Sequence, residues 1–306
     1  MGIKLYKEPK LEKPDMICGW PGIGNIGIIA VDTLKGVLKA EELGEIEPWD
    51  FFEPRKVLIK KGLLEDLEFP TNKFYYRRLP KKDLIFFIGE EQPTDGGRMY
   101  ATGEKAYQIA NLVIDVAQKF GCQRVYTSGA SVSPFAHHAL KPRVCAVVSS
   151  EKLAKEVKQY PNTILFSETE GREGEGMITG LNGLLLTVAK KRGMESICLM
   201  GEIPDWLSGA PWPYPKASKS VLEVFAEILE MGIDFRRLDN MADQIEKIIE
   251  EIYEKFPPEI KERIDQRKVL RQTRPGAITE EDQKWIKEHI DELFKKGGGE
   301  SGERPI

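Results

Sequence analysis

Residues whose types and spacing admit chemistry begin at Met16-Ile17-Cys18-Gly19-Trp20-Pro21-Gly22-Ile23-Gly24-Asn25-Ile26-Gly27, an apolar run that meets glycines and then the helix-like Ile28-Ile29-Ala30-Val31-Asp32-Thr33-Leu34. Read literally, this is G-x-G-x-x-G. Glycines at that spacing let a backbone approach a pyrophosphate whose charge is met by the N–H groups opening a helix. They serve equally well in a tight strand-to-helix turn with no ligand. A dinucleotide fold continues into a second apolar strand that ends in an acid about 20 residues on. Here the continuation is Ala40-Glu41-Glu42-Leu43-Gly44-Glu45-Ile46-Glu47-Pro48, too polar and too broken for a central parallel strand. A structural glycine turn at Gly22, Gly24 and Gly27 is therefore the reading taken, with no cofactor expected.

Other candidates for chemistry follow apolar runs, where α/β folds place ligands. They are Glu90 and Glu91, Ser128, and Glu202 with Asp205. Carboxylates there suit general acid and base roles, and a serine suits a nucleophile if a base stands beside it. The chain has three histidines, two of them the doublet His137-His138, and Val125-Tyr126-Thr127 precede Ser128 in place of a G-x-S-x-G elbow. A hydrolase or phosphorylase-like enzyme using strand-end carboxylates thus stays open as the alternative to a binding protein. Cys18, Cys122, Cys145 and Cys198 are scattered without a C-x-x-C or paired histidines. That spacing predicts free core thiols, with neither zinc nor disulfides. The acidic stretch Glu168, Glu170, Glu173 and Glu175 lacks the ligand spacing of a calcium loop, so no metal is expected.

These residues need a scaffold, and the composition supplies one. The chain has 306 residues, 41% hydrophobic and 31% charged, with a formal net charge of −4. A net negative chain is a poor general partner for nucleic acid, which needs a basic face. No apolar run reaches the ~18 residues of a membrane span, and Met1 to Pro14 lacks the apolar core of a signal peptide. A cytoplasmic location is expected.

Along the chain, strand-like runs at 56–59, 74–78, 83–89, 124–129, 143–149, 163–166 and 196–201 alternate with helical patterns at 100–120, 151–159, 180–191 and 218–231. Residues 56–59 and 74–78 read as a hairpin that gives an otherwise mostly parallel sheet an antiparallel portion. An α/β core over 1–236 is expected. From about Asp239 the pattern becomes amphipathic and helical through Met241, Ile245, Ile248, Ile249, Ile252 and Phe256. Pro257-Pro258 ends that helix, a second starts at Glu259, and Thr279-Glu280-Glu281-Asp282 opens a third bearing Trp285, Ile286, Ile290, Leu293 and Phe294 on one stripe. Residues 237–296 form a helical extension and 297–306 a glycine-rich flexible tail.

Two places are read as interaction surfaces. The run Pro204-Asp205-Trp206-Leu207-Ser208-Gly209-Ala210-Pro211-Trp212-Pro213-Tyr214-Pro215 is too proline-rich for regular structure. Its aromatics Trp206, Trp212 and Tyr214 suit an oligomer contact, and they suit equally a loop folded back over its own sheet. The helical stripe with Trp285 and Phe294 either covers the chain's own core or meets a partner. Lys261, Arg263, Arg267, Lys268, Arg271 and Arg274 add a basic cluster without the interleaved aromatics that bind single strands.

The ordered series Trp20-Pro21-Gly22-Ile23-Gly24-Asn25-Ile26-Gly27, Phe87-Ile88-Gly89-Glu90, Tyr126-Thr127-Ser128-Gly129-Ala130, Ile178-Thr179-Gly180-Leu181-Asn182-Gly183, Cys198-Leu199-Met200-Gly201-Glu202 and Pro213-Tyr214-Pro215 resembles the landmarks of the proteasome assembly chaperone 2 family, in its archaeal type. The resemblance covers roughly 14–236. It implies a three-layer α/β sandwich of the phosphorylase and hydrolase kind, a cytoplasmic homo-oligomer, and binding of proteasome α-subunits or a related chaperone subunit rather than catalysis. Proteasome activators that dock by their tails resemble one another in carrying a penultimate tyrosine. This chain reads Arg304-Pro305-Ile306 there, so that mode of docking is not expected.

Overall fold

Apolar runs that are hydrophobic on both faces can pair only where helices cover them on each side, and four such runs form the centre of this molecule. The computed structural model describes residues 2–94, 101, 103–169 and 175–272. In chain order the elements are β1 (Ile3–Leu5), β2 (Asp15–Gly19), α1 (Ile26–Val37), β3 (Glu41–Ile46), β4 (Lys56–Lys60), β5 (Leu63–Glu68), β6 (Asn72–Arg77) and β7 (Leu84–Gly89). There follow α2 (Gly103–Lys119), β8 (Arg124–Ser133), β9 (Val144–Val148), α3 (Glu151–Val157), β10 (Thr163–Leu165), α4 (Gly180–Lys191) and β11 (Glu195–Pro204). Helices α5 (Pro215–Ile228), α6 (Arg236–Glu254) and α7 (Pro258–Gln272) complete the described chain.

Nine strands make one mixed sheet in the order β1-β3-β6-β7-β2-β8-β11-β9-β10. Its centre, β7-β2-β8-β11, is parallel. On one side β6, β3 and β1 add antiparallel pairs, and on the other β9 runs against β11 while β10 follows β9. Helices α2 and α4 bury one face, through Ile109, Val113 and Leu185 among others. Helices α1 and α5 bury the other, with Leu34, Val221 and Phe225 against Phe86 and Tyr126. The result is a three-layer α/β sandwich, with the strand-forming runs and helical periodicities at the places the sequence pattern gives them.

Two segments differ from the sequence expectation. Residues 56–59 and 74–78 do not pair with each other. Strand β4 instead turns back on β5 in a separate two-stranded ribbon, while β6 lies in the main sheet between β3 and β7. The cause is local: Lys61 and Gly62 both take positive φ, 52° and 79°, the two-residue turn whose twist matches that of paired strands. The acids of β5 (Glu65, Asp66 and Glu68) conceal a strand. The polar segment 40–48 does form a strand, β3, but it is antiparallel and next to the sheet edge, where such a composition is tolerated.

The C-terminal helix α6 lies on α5. Its Leu238 and Ile249 belong to the same apolar cluster as α1 and α5, and Lys219 of α5 donates to Asp239 at 2.5 Å. The expected third helix over 279–296, with Trp285 and Phe294, and the tail 297–306 lie outside the described residues.

One contact sets the spacing of the layers. A Cβ on Gly27, in the first turn of α1, would stand 2.2 Å from the carbonyl oxygen of Ser128 on β8. In the same helix, a Cβ on Gly36 would meet nothing within 4 Å. Alanine gains about 1 kcal/mol over glycine within a helix, whereas forcing a methyl against a fixed backbone costs about 1–3 kcal/mol or more. Gly27→Ala is therefore expected to lower stability and Gly36→Ala to raise it by up to about 1 kcal/mol, read as opposite shifts of the urea midpoint at constant slope.

Candidate functional site

The C-terminal ends of β2 and β8, the glycine turn and the start of α4 enclose a cleft of about 190 Å³. Gly24 turns the chain with φ 57°, and its carbonyl accepts the backbone N–H of Tyr214 at 2.7 Å. Gln92, just past β7, holds the other wall: its Nε2 donates to the Pro21 carbonyl at 2.9 Å, and its Oε1 accepts from the Leu181 N–H at 3.2 Å. The Ser131 hydroxyl and the Asn182 carbonyl oxygen are buried at this end of the sheet without a hydrogen-bond partner among the described residues. Gln92 and Asn182 went unnoticed in the sequence, since a lone amide carries no pattern. The described residues that line the cleft include no ionisable side chain.

Each sequence-identified candidate for chemistry is already engaged, Ser128 in the cleft wall and the carboxylates outside it. Ser128 donates its hydroxyl to the Leu199 carbonyl at 3.1 Å, a tie between neighbouring strands. Glu202 is fully buried and forks onto Arg143, with Arg143 Nη2 to Oε1 at 2.8 Å and Nε to Oε2 at 3.1 Å. Glu90 and Glu91 both accept from Arg55, at 2.8 Å and 2.6 Å, outside the cleft. Asp205 accepts from Arg267 of α7 at 2.7 Å. Glu168 pairs with Lys158, while Glu170 and Glu173 lie outside the described residues. Among the described residues no group of three or more His, Cys, Asp or Glu side chains is placed to hold a metal. All four cysteines are buried; burial pushes the Cys198 thiol up to about 12.

The proline-aromatic run is brought to a second cluster. His137 and His138 stack with ring centroids 4.4 Å apart. Trp206 meets His138 edge-on at 5.6 Å and Phe256 at 5.4 Å, and Tyr253 of α6 lies 4.7 Å from His138. Trp206 is half-buried, one edge of its ring against Phe256 between α6 and α7. Tyr214 is 2% exposed within the core, so its side chain is not available to a second copy. Trp212 remains half-buried. Of the basic cluster, Lys261 pairs with Glu254 and Arg267 with Asp205, while Arg274 lies outside the described residues.

What the sequence reading passed over is the surface of the β4–β5 ribbon. Val57, Ile59, Leu63 and Leu64 are 56–78% exposed there. The signal that finds it is Lys61-Gly62 between two short apolar runs, Val57-Leu58-Ile59 and Leu63-Leu64. A shallow apolar groove beside α4, lined by Val147, Ile178, Leu184 and Leu186 among others, adds a second uncovered surface.

Comparison with known proteins follows the same geometry. The sequence pattern of the PAC2 family matches residues 16–253. An uncharacterized protein of Methanocaldococcus jannaschii is 33% identical over 251 residues, covering 82% of this chain and 86% of that one. The crystal structure of Pyrococcus furiosus PbaB, an archaeal proteasome activator, superposes with a TM-score of 0.67 at 32% identity, covering 82% of this chain and 97% of PbaB. Pyrococcus furiosus PbaA, an archaeal homolog of proteasome-assembly chaperone, shares the fold at 23% identity and TM-score 0.58, covering 86% of this chain and 98% of PbaA.

Two outcomes are expected from the site. Glu202→Gln removes the carboxylate onto which the buried Arg143 guanidinium forks and should lower stability by about 3–5 kcal/mol in denaturant unfolding. His138 has its pKa lowered from 6.5 to about 4, first by burial and then by the charges of His137 and Lys216. Its neutral form is the one the fold accepts, so this contribution is complete above pH 6.5 and is lost as pH falls from 6.5 towards 4. The loss is on the order of 1–3 kcal/mol. His138→Gln should flatten the stability profile across that window relative to the wild-type chain.

Proposed function

This chain belongs to the PAC2 family, and from that premise we propose that it is a proteasome-assembly-chaperone-like binding protein that self-associates and takes up proteasome α-subunits or a related chaperone subunit. The observation that carries this reading is the likeness to PbaB, a proteasome activator, at 32% identity over nearly all of that chain. The local geometry favours it. The strand-end carboxylates that an enzyme would use are held in ion pairs with Arg55, Arg143 and Arg267, and the cleft beside them is lined by amides, hydroxyls and apolar groups. Apolar side chains meanwhile stand in solvent on the β4–β5 ribbon, as they do where a soluble protein meets another.

In this reading an α/β core, 1–236, carries the contact surfaces, and the described part of the extension, 237–272, braces it. The mechanism is shape and repetition: several copies present the same surface at fixed spacing, so weak contacts combine. The chain works in the cytoplasm, where proteasome subunits are made. Among the described residues no helix is long and apolar enough to cross a membrane.

Light-scattering chromatography of the chain, alone and mixed with proteasome α-subunits from the same source, tests this. A defined oligomer that shifts to higher mass with the subunits is the expected result. A single chain that elutes unchanged beside them overturns the proposal.

A further inference from the structure

The β4–β5 ribbon carries a feature that the described residues of its own chain do not explain. A two-stranded ribbon is marginal in water and needs more strands or a packed face to persist. This one forms a sheet of its own, separate from the nine-stranded sheet. Its register sets Val57 opposite Leu67 and Ile59 opposite Leu64 on one face, and Ile59 is 66% and Leu64 78% exposed.

Charge is divided between its two strands. The β4 strand and the turn carry Lys56, Lys60 and Lys61, while β5 carries Glu65, Asp66 and Glu68. Within one ribbon these charges meet only loosely, Lys56 with Glu68 at 3.5 Å and Lys60 with Glu65 at 3.3 Å, all in solvent. Exposed pairs of that kind add little stability. Charges on a strand edge normally keep other strands away. With opposite signs on the two edges they act as a selector: β4 against β4 or β5 against β5 brings like charges together, and β4 against β5 brings unlike ones.

We infer that the ribbon is the self-association element, and that it pairs edge to edge with the ribbon of a second copy, the basic β4 of one lying beside the acidic β5 of the next. This rests on the self-association reading above and names its surface. Such a contact is head-to-tail, so it closes into a ring when the rotation allows. The combined sheet has enough strands to persist, and the apolar face of each ribbon continues into the next.

The test uses the full chain in three forms at low salt, with mass read by light scattering. One variant, Lys56→Glu with Lys60→Glu, makes both strands acidic. The other, Glu65→Lys with Glu68→Lys, reduces β5 to a basic strand interrupted by Asp66. The wild-type chain is expected to be an oligomer, each variant alone to fall to a single chain, and an equal mixture of the two to recover the oligomer. Recovery on mixing cannot come from variants that have lost their fold. Leu64→Thr, which keeps a strand-forming side chain but removes apolar area, is expected to weaken the oligomer as well.

Variants that all keep the wild-type mass overturn the ribbon contact and leave self-association standing through another surface. Variants that dissociate without recovery on mixing overturn the pairing of unlike strands between copies. A wild-type chain that is itself single overturns the self-association reading from which the inference starts.

Discussion

The absence of a side chain at Gly27 lets the backbone of α1 lie against β8, and the rest of the molecule is assembled from that approach. With α1 seated there, the turn before it has little freedom. Gly24 reverses the chain at φ 57°, and its carbonyl takes the N–H of Tyr214. That bond fixes the residue immediately before α5, so the second helix of the same face starts from a point determined by the first. Helix α6 then packs on α5, and α7 reaches back to Asp205 through Arg267. A glycine pattern that in another setting cradles a pyrophosphate here sets the distance between a helix and a strand.

Arginine does for the loops what glycine does for the layers. Arg143 forks onto a fully buried Glu202, Arg55 spans Glu90 and Glu91, and Arg267 takes Asp205. Each pair joins the end of a strand to a segment distant from it in the chain. A planar guanidinium holds a carboxylate in a defined orientation, so these pairs fix where the connecting segments leave the sheet. The carboxylates at the strand ends are thereby occupied in ion pairs, one buried and the others nearer the surface.

The fold was legible in the sequence wherever one element buries its own pattern. The runs 83–89 and 196–201 read as strands because both faces are apolar, and α2 read as a helix because Ala106, Ile109, Ala110, Val113, Ile114 and Ala117 recur at its period. What failed was pairing, which is decided between elements. Strand β5 was missed because its acids face solvent, and β4 was then assigned the next apolar run as its partner. The site was less legible than the fold. Trp206 and Tyr214 have the composition of a contact surface, yet one is half-buried against Phe256 and the other lies inside the core, since aromatics serve covering and contact equally. Gln92 and Asn182 are placed by the turns that carry them, and nothing in their spacing announces it.

The clamp of Arg55 on Glu90 and Glu91 lies at the root of the β4–β5 ribbon, where the Arg55 N–H also donates to the Glu68 carbonyl at 2.7 Å. Beyond that root the five residues of β4 extend about 16 Å at the usual rise of a strand. The ribbon is mechanically a cantilever, anchored stiffly at one end and loaded at the other. A few degrees of tilt at the clamp translate into an ångström or so at the tip, so the core can remain rigid while the reach of the molecule adjusts to what it meets.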